Sequence, residues 1–539
     1  MANITIGNLN TPTNNSSSPS SSSSNGNNNN NNIMRPIRAA EKNRIATNDF
    51  ANDIANISIQ KYNNIVHNNS NELNFQQTVL STFVLRYKNP TNNQYTLKVV
   101  ALGVGTKFLS KSNIENDIDG KCVKDLHAEI LAQRSFKLFL YQQILEYCQN
   151  KDTLIFENVT NGSTNNKSNK KPIFRTPCKL KEDITIHFYT SSQPCGNACL
   201  KKFAKSSKPK FQNLPKYCLP TDIHSKKQFS ALDRGEIAFL LKGSCDASIT
   251  TTSSINKDRS AKTLVDGTHA VNEDKRSYIH TCSDKILKWN ALGLQGSLLK
   301  HFINDILYIN TCTFGRKFGK PFNERALCCR MQTINFTCNV TNSNNAADDD
   351  KNNKYRMNHP PMLCTNVKFD DTIYYEANSK ATFQETNCLY WCYNDQYPSI
   401  LNGETGLALL KTDSKGICRI SKCGFANLFH IISKMWILKD DMNDKNKNCI
   451  EYYDYNLLKQ VGKAKHHYVC KQIFSNGYNK KLKSKRKHNK NDTTGTKKNI
   501  TTDEIEKKPI INGTGKWIKS PNVKLNIAVP KVMQEYLEF

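Results

Sequence analysis

The sequence predicts an α/β protein in which a central mixed β-sheet is flanked by helices and interrupted by Asn/Lys-rich disordered insertions. Three observations predict it. TVLSTFVLRY (78–87) and YTLKVVALGVGTKF (95–108) alternate apolar and polar residues as paired strands do, and NPTNNQ between them reads as their turn. From Leu126 onward, the apolar residues Ile130, Leu131, Leu138 and Leu145 recur at helical spacing. ITIHFYTSS, Ile184 to Ser192, is a further buried strand that runs into a tight turn at Pro194-Cys195-Gly196.

Taken in order, residues 1 to about 33 are Asn, Ser and Thr with almost nothing apolar, too little to bury a core. The expected organisation is a disordered extension over 1–71 and one domain over 72–539, with low-complexity insertions near 158–171, 244–276, 335–361 and 475–512. The opening hairpin ends at Gly105-Thr106-Lys107, and the helix beginning near Leu126 runs to about Gln149. From Lys205 to Lys227 a basic segment with Phe211 and Tyr217 reads either as an RNA-facing surface or as a loop with two anchoring aromatics. In HTCSDKILKWNALGLQGSLL, Trp289, Leu292, Leu294, Leu298 and Leu299 form one apolar helical face after Cys282. CLYWCY (388–393) reads as a buried strand and CGFANLFHIISKMW (423–436) as a buried helix.

At 539 residues the chain is long enough for one large domain or two to three ordinary ones. A formal charge of +30 and a pI near 9.4 point to a polyanionic partner, nucleic acid first, against the alternative of a Lys- and Asn-rich composition with no binding role. KKLKSKRKHNK (Lys480 to Lys490) holds a large share of that charge and reads as a solvated disordered face, a nuclear import signal or a loose phosphate clamp. No run of about 18 apolar residues exists, so no membrane span is expected. The N-terminus lacks a basic and then apolar signal peptide, which implies an intracellular protein of the nucleus, the cytoplasm or both. Nineteen cysteines, an odd number without a disulfide framework, suit a reducing compartment where most are buried thiols and a few bind metal.

The chemistry concentrates at His127-Ala128-Glu129. Residues two apart in mid-helix point to nearly opposite faces, but at a helix entry they converge. There His127 can ligate a metal while Glu129 stays off it and moves a proton to and from a bound water, and the helix N-terminus favours the hydroxide. Alone, such a pair reads equally as a solvated helix start. Cys195, at the turn after a strand, and Cys282, just before a helix, supply two thiols. One His, two Cys, an open fourth position and a non-ligating Glu is the set that a Zn2+ ion requires to activate water for base deamination.

HAE, PCG and CSDKILKWNALGLQGSLL resemble the three zinc motifs of the adenosine deaminases that act on RNA, the tRNA-specific branch in particular, and the likeness runs from about Glu72 to Phe539 between the polar insertions. The resemblance implies a cytidine-deaminase-like core, Zn2+ on His127, Cys195 and Cys282, and Glu129 as the proton shuttle. It implies conversion of adenosine to inosine in the anticodon loop of tRNA-Ala, at position 37 immediately 3′ of the anticodon, with no obligate protein partner. Thr106 and Lys107 would touch the target nucleotide, although Gly-Thr-Lys is also a common strand end. Cys199 competes for the third ligand position; the PCxxC of cytidine deaminases would need cysteine at Ala198, so Cys282 is preferred and Cys199 is read as packing. The resemblance further implies a buried 1D-myo-inositol hexakisphosphate whose shell would include Arg134, Lys285, Lys288, Gly296, Ser297, Trp517 and Lys519. Gln133 stands where the family has arginine, and the lysines between Gly406 and Lys471 do not align. Lys285 and Lys288 read otherwise as solvated helix charges. Two other functions stay open: editing of double-stranded RNA, disfavoured because no duplex-binding module precedes residue 72, and a catalytically inactive RNA-binding protein, disfavoured by intact Glu129.

Overall fold

Alternation along the first two strands sorts their side chains onto two faces, and the molecule is layered accordingly. β1 (Leu80–Lys88) and β2 (Tyr95–Val104) form an antiparallel hairpin, Leu80 facing Val104 and Lys88 facing Tyr95, with a bulge after Phe83. The computed structural model describes residues 48–67, 78–89, 92–157, 173–199, 239–243, 276–331, 355–370, 387–409, 417–438, 449–475, 513–514, 517 and 519–537. Beyond the hairpin come β3 (Thr106–Phe108), β4 (Asp125–His127), β5 (Thr185–Ser192), β6 (Phe239–Gly243) and β7 (Arg276–His280). Then follow β8 (Thr311–Arg316), β9 (Met362–Cys364), β10 (Asn387–Cys392), β11 (Ser399–Asn402), β12 (Ile450–Asp454), β13 (Gly513–Thr514) and β14 (Asn526–Pro530). The helices are α1 (Asn48–His67), α2 (Lys111–Asn116), α3 (Ala128–Cys148), α4 (Cys282–Leu292), α5 (Gly296–Leu299), α6 (Lys320–Leu327), α7 (Lys422–Met435) and α8 (Met533–Leu537).

Seven strands make the central sheet in the order β11-β10-β2-β1-β5-β8-β9. The β5–β8 and β8–β9 pairs are parallel and the others antiparallel, so the sheet is mixed, as the sequence predicts. On one face Phe83 stacks on Phe136 of α3, with ring centroids 4.8 Å apart. On the other, Leu80 and Val84 join Ile54, Ala55, Ile57 and Tyr62 of α1 in a separate apolar cluster.

That second face corrects two boundaries. Ordered structure does not begin near residue 72: α1 lies inside the expected disordered extension, with Ala51, Ile54 and Ala55 wholly buried. Its apolar residues Phe50, Ile54, Ile57, Tyr62 and Ile65 follow helical spacing, and they cover sheet surface that water would otherwise wet. The insertion expected over 335–361 ends earlier, because the segment from Tyr355 is held in place: Asn358 donates from its backbone to the Asn290 carbonyl (2.7 Å) and from its amide to the Ile309 carbonyl (2.7 Å). The expected insertion at 158–171, nearly all of those at 244–276 and 475–512, and the basic segments Lys205 to Lys227 and Lys480 to Lys490 lie outside the described residues. Among the described residues no helix is long and apolar enough to cross a membrane.

The start of α3 is set by a close approach. A Cβ on Gly103 would come within 2.4 Å of the Ala132 nitrogen and 2.5 Å of the Ala128 carbonyl oxygen, so the helix entry lies directly on β2. Gly103→Ala should therefore push the helix off the strand and destabilise the protein by about 1–3 kcal/mol, read as a lower midpoint in chemical denaturation.

Candidate active site

His127 ends β4 and caps α3 in extended backbone (φ −62°, ψ 142°), while Glu129 falls in the first helical turn. The change from strand to helix geometry between them turns both side chains to one side. Backbone pairing fixes the entry: Thr106 of β3 lies opposite His127, and the Ala128 amide donates to the Gly105 carbonyl at 2.9 Å. Thr106 and Lys107, the expected nucleotide contacts, are thus half-buried neighbours of His127.

Cys195 sits in the turn after β5. Gly196 in that turn has φ +98°, and a Cβ there would collide with the Thr281 side chain, so glycine is required for the approach of the two loops. Ser283, in the first turn of α4, donates from its hydroxyl (2.7 Å) and its backbone amide (3.0 Å) to the Cys195 carbonyl, tying the two cysteine loops together. Cys282 begins α4. The structure brings His127, Cys195 and Cys282 together, their donor atoms all within 4.8 Å of one another. His127 Nδ1 lies 3.4 Å from Cys282 Sγ and 3.8 Å from Cys195 Sγ. Glu129 Oε2 is 3.5 Å from Cys282 Sγ. The backbone of Cys199 belongs to a short 3-10 turn, Asn197–Cys199, and its side chain lies outside what the structure describes.

The electrostatics divide the roles. Burial pushes the Glu129 carboxyl upward, the charge of Cys195 adds to the rise, and His127 opposes it. Of the two thiols Cys195 is the one held as thiolate, first by the hydrogen bond it accepts from Cys282 and then by Lys242 and His127. One His and two thiols are a donor set suited to zinc, and the set leaves a carboxylate beside the metal position.

Two residues central to this arrangement were not legible beforehand. Asp125 Oδ1 accepts from Lys242 Nζ at 2.8 Å and from the His127 amide at 3.1 Å, while Oδ2 is bonded to Lys285. Lys242 Nζ also donates to Cys282 Sγ at 3.7 Å. Burial alone would raise the Asp125 carboxyl, but Lys242 and Lys285 outweigh it and hold it well below the usual carboxylate range.

Lys285 faces a cavity of about 390 Å3 behind α3 and α4. Of the expected shell residues, Arg134, Lys285, Lys288, Gly296, Ser297 and Trp517 line it. Its remaining cations are Lys124, Lys137, Lys422, Lys459 and Lys471, so seven lysines and Arg134 face Asp125 as the one carboxylate among the described lining residues. Burial, then mutual repulsion, lowers these lysines: Lys137 is pushed down to about 7, Lys422 to about 8, and Lys288 and Lys459 well below their ordinary value. Trp517 stacks on His280 with centroids 3.9 Å apart and carries Lys288 Nζ 4.6 Å above its ring. Gln133 turns its amide to the Leu294 carbonyl at 2.9 Å. Lys519 is a correction: it is exposed and does not line the cavity, since the ammonium keeps its hydration there, although its charge still lowers Lys288 and Lys471. The helical run expected through Leu299 is also broken. Gly293 (φ +75°) and Gly296 (φ +71°) redirect the chain so that 293–299 wrap the cavity.

Asp125→Asn should leave Lys242 and Lys285 uncompensated and destabilise the fold by about 3–5 kcal/mol. Because the folded carboxyl is depressed, its contribution is complete above the unfolded value of about 4 and drains away as pH falls below it. Denaturation of wild type and variant should converge on acidification, and a gap that persists unchanged would refute the assignment.

The described architecture agrees with known proteins. The family model of the adenosine-deaminase (editase) domain matches residues 101–485, more than half of the chain. The double-stranded RNA-specific adenosine deaminase of Rattus norvegicus is 26% identical over 336 residues, 60% of this chain and 23% of that protein. The tRNA-specific adenosine deaminase 1 of Drosophila melanogaster is 26% identical over 49% of this chain and 54% of its own length, and that of Homo sapiens 24% identical over 53% and 70%. The chain thus spans less than a quarter of the rat relative's length and about half or more of the two tRNA-specific ones. With the motif residues gathered at one buried site in a mixed α/β sheet, the chain belongs to the adenosine-deaminase (editase) domain family.

Proposed function

We propose that the protein is a zinc-dependent hydrolytic deaminase that converts adenosine to inosine in RNA, and that its substrate is tRNA-Ala, at position 37 beside the anticodon. The observation that carries the chemistry is the buried donor set of His127, Cys195 and Cys282 with Glu129 against it. A Zn2+ ion held by those three residues supplies a water of lowered pKa as nucleophile. Glu129 is the group that moves protons: its Oε2 accepts one as the water loses it, and the raised carboxyl then holds it for delivery to the purine ring nitrogen and the departing amine. Thr106 and Lys107, beside His127, form the rim against which the target nucleotide rests, with Lys107 offering charge to its phosphate.

The cavity lysines support a second bound group. Seven lysines and an arginine around about 390 Å3 need a compact polyanion to remain protonated in the interior. Inositol hexakisphosphate fits that requirement, held by Arg134, Lys137, Lys285, Lys288, Lys422, Lys459 and Lys471, with Trp517 closing the wall. When bound it supplies counter-charge; Lys285 then bridges to Asp125, and through Lys242 to Cys282.

A loop substrate is supported by the cost of extracting a base, lower in an anticodon loop than in a duplex, and by the larger share of the tRNA-specific relatives that the chain matches. Duplex RNA is the second reading, favoured by 26% identity to the rat duplex-specific relative over 60% of this chain.

Incubation with unmodified alanine tRNA transcript should yield inosine at the position 3′ of the anticodon, read as an A-to-G change, and perfect duplexes should yield none. Glu129→Gln should keep its zinc yet lose at least about 100-fold in rate. Cys282→Ala should lose both metal and activity while Cys199→Ala retains them; the reverse would overturn the ligand set. Denatured, dialysed protein should release inositol phosphate. In stripped protein the folded lysines bind fewer protons than the unfolded chain between about pH 7 and 10, so its stability should climb with pH over that window, and re-addition of the polyanion should take up protons and flatten the climb.

A further inference from the structure

A second cluster of metal-binding side chains lies outside the site at Glu129. Cys328, Cys329 and His359 hold their donor atoms all within 4.8 Å of one another. The two thiol sulfurs are 3.4 Å apart, and Cys329 Sγ is 3.6 Å from His359 Nδ1. Thiolate and imidazole donors on one tetrahedral zinc, at bond lengths of about 2.3 and 2.0 Å, stand roughly 3.5–3.8 Å apart. The spacing already present is therefore that of a ligand set, and it matches the spacing around His127.

Local structure explains how adjacent cysteines converge. α6 ends at Leu327, and Cys328 leaves helical geometry (φ −147°, ψ −55°), which lets the side chains of 328 and 329 face each other instead of pointing around the helix. Both are fully buried. His359 is half-buried, and it is held in register from both sides: Asn358 is bonded to Asn290 and Ile309, and the Pro361 carbonyl accepts from the Cys312 amide at 2.9 Å. A fourth ligand, a water or a buried carboxylate such as Glu324 one turn before Cys328, can complete the set.

The placement gives the cluster a purpose. α6 stands behind the Cys195 turn, where Arg325 donates to the Asn197 carbonyl at 2.8 Å, Gln193 bonds Asn323, and the Leu327 carbonyl accepts from Asn290 of α4 at 3.0 Å. We propose that Cys328, Cys329 and His359 bind a second, structural Zn2+ that ties the end of α6 to the segment entering β9. Such a tie joins positions 30 residues apart and braces the scaffold behind the Pro194-Cys195 turn. Binding displaces the two thiol protons to solvent, and thiolate with imidazole favours zinc over calcium or magnesium.

The proposal does not depend on the deaminase reading, and zinc stoichiometry separates the two. Full-length protein, purified with zinc and dialysed against metal-free buffer, should carry two zinc ions by elemental analysis. Cys195→Ser/Cys282→Ser should retain one. Cys328→Ser/Cys329→Ser and, separately, His359→Ala should each lose one, and His359→Cys should restore it. His359 is half-buried in a loop, so its replacement leaves a folded protein to measure, checked by circular dichroism. Zinc content unchanged by His359→Ala and by Cys328→Ser/Cys329→Ser would overturn the second site, as would complete loss of zinc from Cys195→Ser/Cys282→Ser protein that remains folded.

Discussion

One buried carboxylate joins the two halves of this protein's chemistry. Asp125 has Lys242 on one oxygen and Lys285 on the other, and those lysines face different things: a cysteine of the candidate metal set and a cavity crowded with positive charge. A charge this deeply buried is tolerable only when it is paired on both sides. The backbone around it is constrained as a result, because the same carboxylate also accepts the His127 amide. The helix entry, the metal set and the cation cavity therefore cannot be positioned independently.

Much of the fold was readable because it depends on local rules. Strand alternation at 78–108 and 184–192 and helical spacing after Leu126 each demand one periodicity, and the sheet carries them on adjacent strands. The site motifs were readable for a similar reason: a histidine and a glutamate two apart are chemically sensible only at a helix entry, and a cysteine after a strand or before a helix stands at a backbone turn. α1 was missed although its apolar residues follow helical spacing, since the Asn-rich sequence on either side set the expectation of disorder. The break at Gly293 was missed because an unbroken apolar face continues past it.

Asp125 and Lys242 were beyond reach for a different reason. They are 117 residues apart, and neither sits in a pattern; a lysine following LL in a strand reads as an edge residue until its partner is known. The cavity lysines pose the same problem on a larger scale. Lys137, Lys288, Lys422, Lys459 and Lys471 belong to separate segments, and each alone resembles a solvated charge. Only the three-dimensional meeting of these groups, and the resulting depression of their basicity, distinguishes them from surface lysines.

The parallel pairing of β5 with β8 has a consequence for how freely this chain can lengthen. His187 and Thr311 are sheet neighbours although 124 residues separate them, and Cys282 meets His127 across 155. The entropic cost of closing a connection grows only logarithmically, about 0.6 kcal/mol for each doubling. Once a fold depends on closures this long, a further dozen or two residues of polar sequence in one of them changes its free energy very little. The Asn- and Lys-rich stretches of this chain can thus accumulate in the connections, while a single added Cβ at Gly103 disturbs the helix that carries Glu129.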